Sequence, residues 1–90
     1  MVKIKEVNRN VKFDSRQPDS KYRCKYGNRS DFDILRINIT LNNYTETYEI
    51  EAQFLPEKNS IHFNARPSRN GFEVYDWTKA VAKHIRKVEN

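Results

Sequence analysis

Cations alternate with aromatic residues and a cysteine in the segment Lys21-Tyr22-Arg23-Cys24-Lys25-Tyr26. Successive side chains of a β-strand point to opposite faces, so a strand here would present three cations on one face at a repeat of about 6.6 to 6.8 Å. That repeat approaches the spacing of phosphates along an extended nucleic-acid strand, and it indicates a row of phosphate-binding side chains. Residues 27–30 would add a turn with free backbone N–H groups and the Arg29 guanidinium. The alternative is an edge strand whose lysines only deter aggregation.

Two further groups of cations could contact phosphate. Arg66 and Arg69 lie in a predicted loop, Arg66-Pro67-Ser68-Arg69-Asn70-Gly71, and the planar guanidinium group suits bidentate contacts with phosphate. The second group lies on a predicted C-terminal helix, opposite its apolar stripe, and consists of Lys79, Lys83, Arg86 and Lys87. Cations are also favourable near a helix C-terminus because of the macrodipole, so this face has an explanation that needs no ligand.

Aromatic residues are interleaved with these cations. Stacking of a nucleic-acid base on an exposed ring contributes about 1 to 3 kcal/mol. A domain this small needs most of its aromatic rings in the core, and the only candidates for an exposed ring are Tyr26 and Tyr75. Tyr26 therefore joins the binding candidates of its segment.

Residues suited to catalysis or metal binding are sparse. His62 and His84 would suit acid and base roles in a small ribonuclease if the fold brought them together. Glu49 and Glu51 alternate with apolar residues, and a solvated sheet face explains them better than an acidic catalytic pair. One cysteine, Cys24, and two histidines without close spacing do not form a zinc site, and two glycines exclude glycine-rich phosphate loops. We therefore expect no enzymatic activity, no metal and no cofactor.

The charges are segregated along the chain. Residues 1–30 carry nine basic and three acidic side chains, residues 31–60 carry two and six, and residues 61–90 carry six and three, for a net charge of +5. The distribution of charge describes the surface that a partner meets. It predicts that folding gathers the cations of both terminal segments into one continuous electropositive surface.

Hydrophobic periodicity predicts the elements that position these residues. From residue 32 to residue 54 apolar and polar residues alternate, with an interruption at Asn42-Asn43. This pattern predicts a hairpin, because asparagine tolerates the positive φ that tight turns require. A two-residue turn would place Arg36 opposite Glu49, and a four-residue loop would place it opposite Glu51. Both registers keep the apolar residues on one face.

Further short strands are predicted on either side of this hairpin. Alternation predicts a third strand over 61–65, and Asn70-Gly71 predicts a turn before residues 72–75, which form either a fourth strand or the lead-in to a helix. Near the N-terminus, Val2 and Ile4 alternate with lysines as an edge strand, and residues 11–13 form another short strand.

The C-terminal segment predicts an amphipathic helix. Asp76 is a favourable N-cap, and apolar residues then recur at helical spacing in the set Trp77, Val81, Ile85 and Val88. We predict that residues 1–90 form a single small α+β domain, an antiparallel meander sheet of about four to five strands with this helix packed on one face. The helix would cover Leu35, Ile37, Ile39, Tyr48, Ile50, Phe54, Ile61 and Phe63.

These observations predict a non-enzymatic nucleic-acid-binding protein that prefers RNA or single strands to duplex DNA. The first alternative is a small inhibitor protein, encoded by a phage or another mobile element, that binds a host protein directly or through bridging RNA. The second is a small ribonuclease. The chain has no apolar leader or membrane-spanning stretch, so we expect it in the cytoplasm and not in a membrane. A homo-oligomer or a bound partner would supplement the small core.

Overall fold

The fold is built from strands. The computed structural model describes residues 1–13, 16, 20–69 and 71–88. These residues form seven strands, which are β1 Ile4–Asn10, β2 Ser20–Lys25, β3 Ile34–Leu41, β4 Tyr44–Glu51, β5 Ser60–Ser68, β6 Gly71–Tyr75 and β7 Arg86–Val88. Two 3-10 turns, Arg29–Asp31 and Ala52–Phe54, complete the regular structure. Strands account for 56% of the described residues, which include no helix of seven or more residues, so the predicted α+β fold is wrong.

The strands form two sheets around one core. The four-stranded sheet has the order β1-β3-β4-β7, with β1 parallel to β3 and the other pairs antiparallel, and the antiparallel three-stranded sheet has the order β2-β5-β6. Both sheets contribute to one buried cluster, with Leu35 and Ile37 from β3 and Phe63 from β5 all fully buried. Trp77 joins the sheets, because its ring centroid lies 5.3 Å from that of Tyr48 and 5.0 Å from that of Phe63. The architecture is therefore a small β-sandwich.

The predicted hairpin is present, with the shorter of the two registers. Asn42 adopts a φ of 55°, and a two-residue turn places Arg36 opposite Glu49. The meander is wrong beyond this hairpin. At Ala52–Phe54 the chain leaves β4 in a 3-10 turn, and β5 then pairs with β2 and β6 in the second sheet. The second sheet covers the apolar face of the hairpin in place of the predicted helix.

The other predicted strands have mixed outcomes. Strands β5 and β6 confirm the predicted third and fourth strands, although Asn70 of the turn between them lies outside the described residues. The N-terminal edge strand is present as β1 and is longer than predicted. Residues 11–13 form no strand, but Val11 is buried in the core directly after β1.

The C-terminal segment does not form the predicted helix. Asp76 adopts a left-handed φ of 55°, and Thr78 then begins two successive turns. In the first turn, Val81 N and Ala82 N donate to the carbonyl of Thr78; in the second, N–H groups farther along donate to the carbonyl of Val81. Val81 is completely buried and Trp77 and Ile85 pack against the core, so the apolar stripe is buried without a helix. The chain then continues as β7.

Ion pairs explain why the last residues form a strand. Arg86 Nη2 lies 3.7 Å from Glu49 Oε1, and Lys87 Nζ lies 3.6 Å from Glu46 Oε1. Glu49 Oε2 also accepts a hydrogen bond of 2.7 Å from Arg36 Nε. On a helix, Arg86 and Lys87 would face solvent, whereas on β7 both reach carboxylates of β4. A helix of this length is marginal by itself, so these contacts and the pairing with β4 outweigh its local periodicity.

Glu46 is a buried carboxylate whose oxygens are fully engaged. It accepts a hydrogen bond of 2.9 Å from Tyr44 OH and one of 2.7 Å from Tyr48 OH, in addition to the contact with Lys87. Burial, followed by the hydrogen bond to Glu46, raises the pKa of the Tyr48 phenol. A buried charge is tolerated when it is paired and hydrogen-bonded in this way, and here it fixes β7 to the sheet.

Loss of the charge on Glu49 should destabilise the fold. We expect Glu49→Gln to lower the free energy of unfolding by about 2 kcal/mol, because Arg36 and Arg86 would lose the carboxylate that they share. Urea denaturation followed by circular dichroism measures the change. Glu57→Gln is the matched control, since the Glu57 side chain is 85% exposed and its pair with Arg29 should contribute about 0.5 kcal/mol. Equal effects of the two substitutions would contradict this role of Glu49.

Cys24 lies in the core on β2, with 1% of its surface exposed. Burial raises the pKa of its thiol to about 11, and nearby Arg9 opposes this shift. A pKa that is higher in the folded state than in the unfolded state stabilises the fold at low pH. That contribution is complete below the unfolded value of 9.0 and is lost as the pH rises towards 11.

The thiol should therefore make stability sensitive to alkali. Between about pH 8 and pH 10.5, the free energy of unfolding of the natural chain should fall by about 2 kcal/mol more than that of Cys24→Ala. Urea denaturation of both proteins across this range gives the two curves. Parallel curves would show that the thiol ionises equally easily in the folded and unfolded chains.

Candidate nucleic-acid interface

Strand β2 presents three cations on its outer face. Lys21, Arg23 and Lys25 are exposed, while Tyr22 is half-buried and Cys24 is buried, as the alternation predicted. Among the strands that the structure describes, β2 lies at an edge and pairs with β5 alone. We call these three cations the β2 rail. In the described part of the chain, none of them forms an ion pair or a hydrogen bond through its side chain.

The strand register explains why the β2 rail is unpaired. Asn64, His62 and Ser60 of β5 stand opposite Lys21, Arg23 and Lys25, in that order. Side chains directly opposite one another are close enough to interact, and none of these three neighbours is a carboxylate. The cations of the rail therefore have no acidic cross-strand partner.

Cations on other strands have glutamates opposite them. Arg66 stands opposite Glu73, and their side chains form an ion pair of 3.1 Å. The hydrogen bond from Arg66 lowers the pKa of the Glu73 carboxyl. Arg36 and Arg86 both stand opposite Glu49 and pair with it. Arg66 and Arg86 were predicted to contact phosphate, and their charges are already balanced within the fold.

Groups in the loop after β2 that were predicted to contact phosphate are bonded within the fold. Arg29 donates from Nη1 to the carbonyl of Leu55 at 2.6 Å and from Nη2 to Glu57 Oε1 at 3.0 Å. Gly27 N donates to the carbonyl of Asn59, and Ser30 N is also hydrogen-bonded, to the side chain of Asn28. The prediction of free N–H groups at these two residues is therefore wrong.

Tyr26 cannot stack on a base in this structure. Only 2% of its surface is exposed, and its hydroxyl donates to the carbonyl of Pro56 at 2.9 Å. Tyr75 is half-buried on the outer face of β6, in register with Lys21 across Asn64 of β5. The guanidinium carbon of Arg66 lies 4.6 Å from the Tyr75 ring centroid, so these two groups form a stacked pair on the same face as the β2 rail.

The two chain ends do not form one continuous basic surface. Strand β7 lies at the opposite edge of its sheet from β1, and its Arg86 and Lys87 are paired with glutamates. The part of the charge prediction that concerns β7 is wrong, because strand order separates β7 from β1. Lys79 and Lys83 are exposed on the turns before β7, and Arg69 is exposed after β5.

Strands β1 and β2, which carry most of the cations of the N-terminal segment, are neighbours at one side of the sandwich. Strands β1 and β2 meet there, since Arg9 Cζ lies 5.7 Å from the Tyr22 ring centroid and Tyr22 OH donates to the carbonyl of Lys12 at 2.7 Å. We call this the basic side, and it comprises the β2 rail on the outer face of β2 together with Lys3, Lys5, Arg9 and Lys12 along the neighbouring β1. These last four residues were not singled out from the sequence, although the excess of cations in residues 1–30 pointed to them. Two carboxylates, Asp31 and Asp33, lie beside Lys3.

The outer face of the four-stranded sheet differs from that of the rail. Asn38 Nδ2 donates to Glu6 Oε1 at 3.1 Å and to Asn8 Oδ1 at 3.0 Å, and Asn38 Oδ1 accepts from Thr47 Oγ1 at 2.8 Å. Together with the Glu49 ion pairs, these bonds occupy the polar groups of that face. The face of the rail is the more available of the two for a charged ligand.

The two histidines lie in different places. His62 is on β5 and lines a cavity with Arg23, whereas the His84 ring stacks on Phe54 with a centroid distance of 3.8 Å and lines a different cavity. The arrangement does not bring them together as an acid and base pair. In the part of the chain that the structure describes, no three histidine, cysteine or carboxylate side chains group as metal ligands.

Comparisons with known proteins find no match to this chain among protein-family models, curated proteins or solved structures. Within residues 1–13, 16, 20–69 and 71–88, no helix has the length and apolar character needed to span a membrane. The geometry of the basic side is therefore the main guide to function.

Proposed function

We propose that this protein binds single-stranded nucleic acid, preferably RNA, through the β2 rail and without catalysing a reaction. The observation that supports this proposal is a row of three exposed cations at alternate positions of one strand, with no carboxylate opposite any of them. When the cations of such a row contact phosphates, they displace counterions condensed on the nucleic acid, and the release of these counterions favours binding. The other cations of the basic side extend the same field.

Several features favour a single strand over a duplex. The described residues contain no helix of seven or more residues that could enter a major groove, whereas a row of cations on one strand matches one extended backbone. The Arg66–Tyr75 pair lies across the same face and offers a flat surface to a base. Ser60 and Asn64 are neutral hydrogen-bonding residues beside the rail, and such groups suit the 2′-hydroxyls of RNA.

Removal of two rail cations should weaken binding and its salt dependence. About four phosphate contacts, three from the rail and one from the rest of the basic side, would give a slope of about −3 for log affinity against log salt. In the double variant Lys21→Gln and Lys25→Gln, the slope should become shallower by about 1.4 and the affinity should fall about tenfold or more. Fluorescence anisotropy with a labelled oligoribonucleotide at several salt concentrations measures both quantities.

The matched control is the double variant Arg69→Gln and Lys83→Gln, which removes the same net charge from exposed residues outside the basic side. Its slope should equal that of the natural chain. A natural chain whose binding does not respond to salt, or equal losses in the two double variants, would contradict binding at the rail.

A carboxylate introduced on β5 directly opposite the rail should neutralise one of its cations and weaken binding. We expect Asn64→Asp to pair with Lys21 and to weaken oligoribonucleotide binding about fivefold, the effect of losing about one phosphate contact. Asn64→Ser is the control, because it removes the amide without adding a charge. Anisotropy titrations compare the affinities of the two variants for the oligoribonucleotide. Similar affinities would contradict the claim that the rail binds because the residues opposite it carry no negative charge.

A cytoplasmic location belongs to the same proposal. Cys24 is a free thiol, and free cysteines are usual in compartments kept reduced by glutathione and thioredoxin. Its burial is also consistent with a structural thiol, since reactive cysteines are partly exposed.

A protein partner is a second candidate function, supported by the edge at β1. Met1, Val2 and Ile4 are exposed apolar residues, and among the described strands β1 is hydrogen-bonded to β3 alone, so its other edge has no strand partner and could accept one. This would suit a small inhibitor that binds another protein. Capture from cell lysate with and without nuclease distinguishes the two candidates, because a partner retained after nuclease treatment makes direct contact, whereas a partner held through RNA is lost.

A further inference from the structure

A cavity of about 420 Å³ lies beside the middle of the β2 rail. This volume is within the range of sites that bind small molecules. Its polar lining includes Arg23, Lys58 and His62 with the hydroxyl residues Ser60 and Thr78, and its apolar lining is Pro56, Ile61 and Ala80. Among the residues that the structure describes, no aspartate or glutamate lines the cavity. The composition is that of a site for an anion.

Backbone contacts fix the positions of the cavity residues. Arg23 and His62 stand directly opposite each other on β2 and β5. Thr78 holds the far side of His62, since His62 N donates to Thr78 Oγ1 at 2.8 Å and Thr78 N donates to the carbonyl of His62 at 3.0 Å. The sheet and the turn at Thr78 thus hold two walls of the cavity without a ligand.

The His62 ring has hydrogen-bonding capacity that the described residues do not use. Its Nδ1 is buried and has no hydrogen-bond partner. Its Nε2 also makes no hydrogen bond to the described residues. Unlike Nδ1, this atom is not buried, and solvent reaches it. Buried polar atoms without partners are rare in folded proteins. Because Nδ1 is inaccessible, a ligand in the cavity would contact the ring at Nε2. An anion in the cavity could accept from Nε2.

These groups match a phosphate monoester better than a phosphodiester. A terminal phosphate carries a charge of about −1.5 to −2 near neutral pH and has three acceptor oxygens, whereas an internal phosphodiester carries a single charge. Arg23 supplies a planar guanidinium for two of these oxygens, and the exposed Lys58 ammonium supplies a second cation.

We propose that this cavity is a phosphate-monoester site that receives the terminal phosphate of a nucleic-acid strand lying on the β2 rail. The proposal rests on the proposed function for its ligand. The protein thereby distinguishes phosphorylated from unphosphorylated strand ends. A free nucleotide shares the same phosphate chemistry, so the test separates these two sources.

The test compares ligands that differ only at their ends. Three short oligoribonucleotides of one sequence, with a 5′-phosphate, a 3′-phosphate or hydroxyls at both ends, and a nucleoside monophosphate compete with a labelled strand in anisotropy measurements. For the natural chain, one phosphorylated oligonucleotide should bind at least about tenfold more tightly than the hydroxyl form, as expected for hydrogen bonds between charged groups.

Two variants locate the effect in the cavity. Lys58→Gln and His62→Gln should each reduce the preference for the phosphorylated end to less than about threefold, while affinity for the hydroxyl form changes by less than about twofold. Lys58 is exposed, so its substitution does not endanger folding. Lys83→Gln is the matched control and should retain the full preference.

The outcomes separate this inference from the proposed function. If phosphorylated and hydroxyl oligonucleotides bind equally well, and both bind weakly to the Lys21→Gln and Lys25→Gln variant, the terminal site is overturned. Nucleic-acid binding at the rail then stands. Binding of the nucleoside monophosphate alone, abolished by Lys58→Gln, supports the phosphate site and overturns the proposed function. Absence of binding to every ligand overturns both.

Discussion

The pairing of β2 with β5 is the constraint on which the surface of this protein depends. Side chains directly opposite each other in an antiparallel pair neutralise one another when their charges differ. Arg36, Arg66 and Arg86 each stand opposite a glutamate, and each is paired with it. The cations of the β2 rail stand opposite neutral residues and remain available. The register of the strand pairs, more than the total charge, therefore determines which cations of this protein are available to bind an anion.

Most glutamates of residues 31–60 form ion pairs within the fold. Glu46 and Glu49 hold β7, and Glu57 holds Arg29 after β2. Of the other acidic residues in this range, Asp31 and Asp33 lie beside Lys3, and no carboxylate stands opposite the β2 rail. Two sheets around one core complete the separation, since β2 lies in a different sheet from β4, which carries Glu46 and Glu49. The charges that are segregated along the chain are thus also separated in space. Cations of β7 form ion pairs with glutamates of β4, whereas the cations of the β2 rail have no acidic partner opposite them.

The sequence allowed prediction of those features that depend on neighbours in the chain. Alternation predicted the hairpin and the cationic face of β2, because the period of a strand is visible in a few residues. It could not show that β4 has an edge open to Arg86 and Lys87, so the C-terminal periodicity was interpreted as a helix. Tyr26 and Arg29 were assigned to binding for a similar reason. Their partners lie 26 to 30 residues away in the sequence, and only folding brings them together.

Backbone amide shifts of isotope-labelled protein during titration with a single-stranded oligoribonucleotide test the central claim most directly. If the unpaired face of β2 is the interface, the largest changes should fall on β2 and on Ser60, His62 and Asn64 of β5. Residues of β7 and its paired glutamates should change little. Largest changes along β7 and β4, with β2 unaffected, would contradict the claim that strand register determines the binding surface.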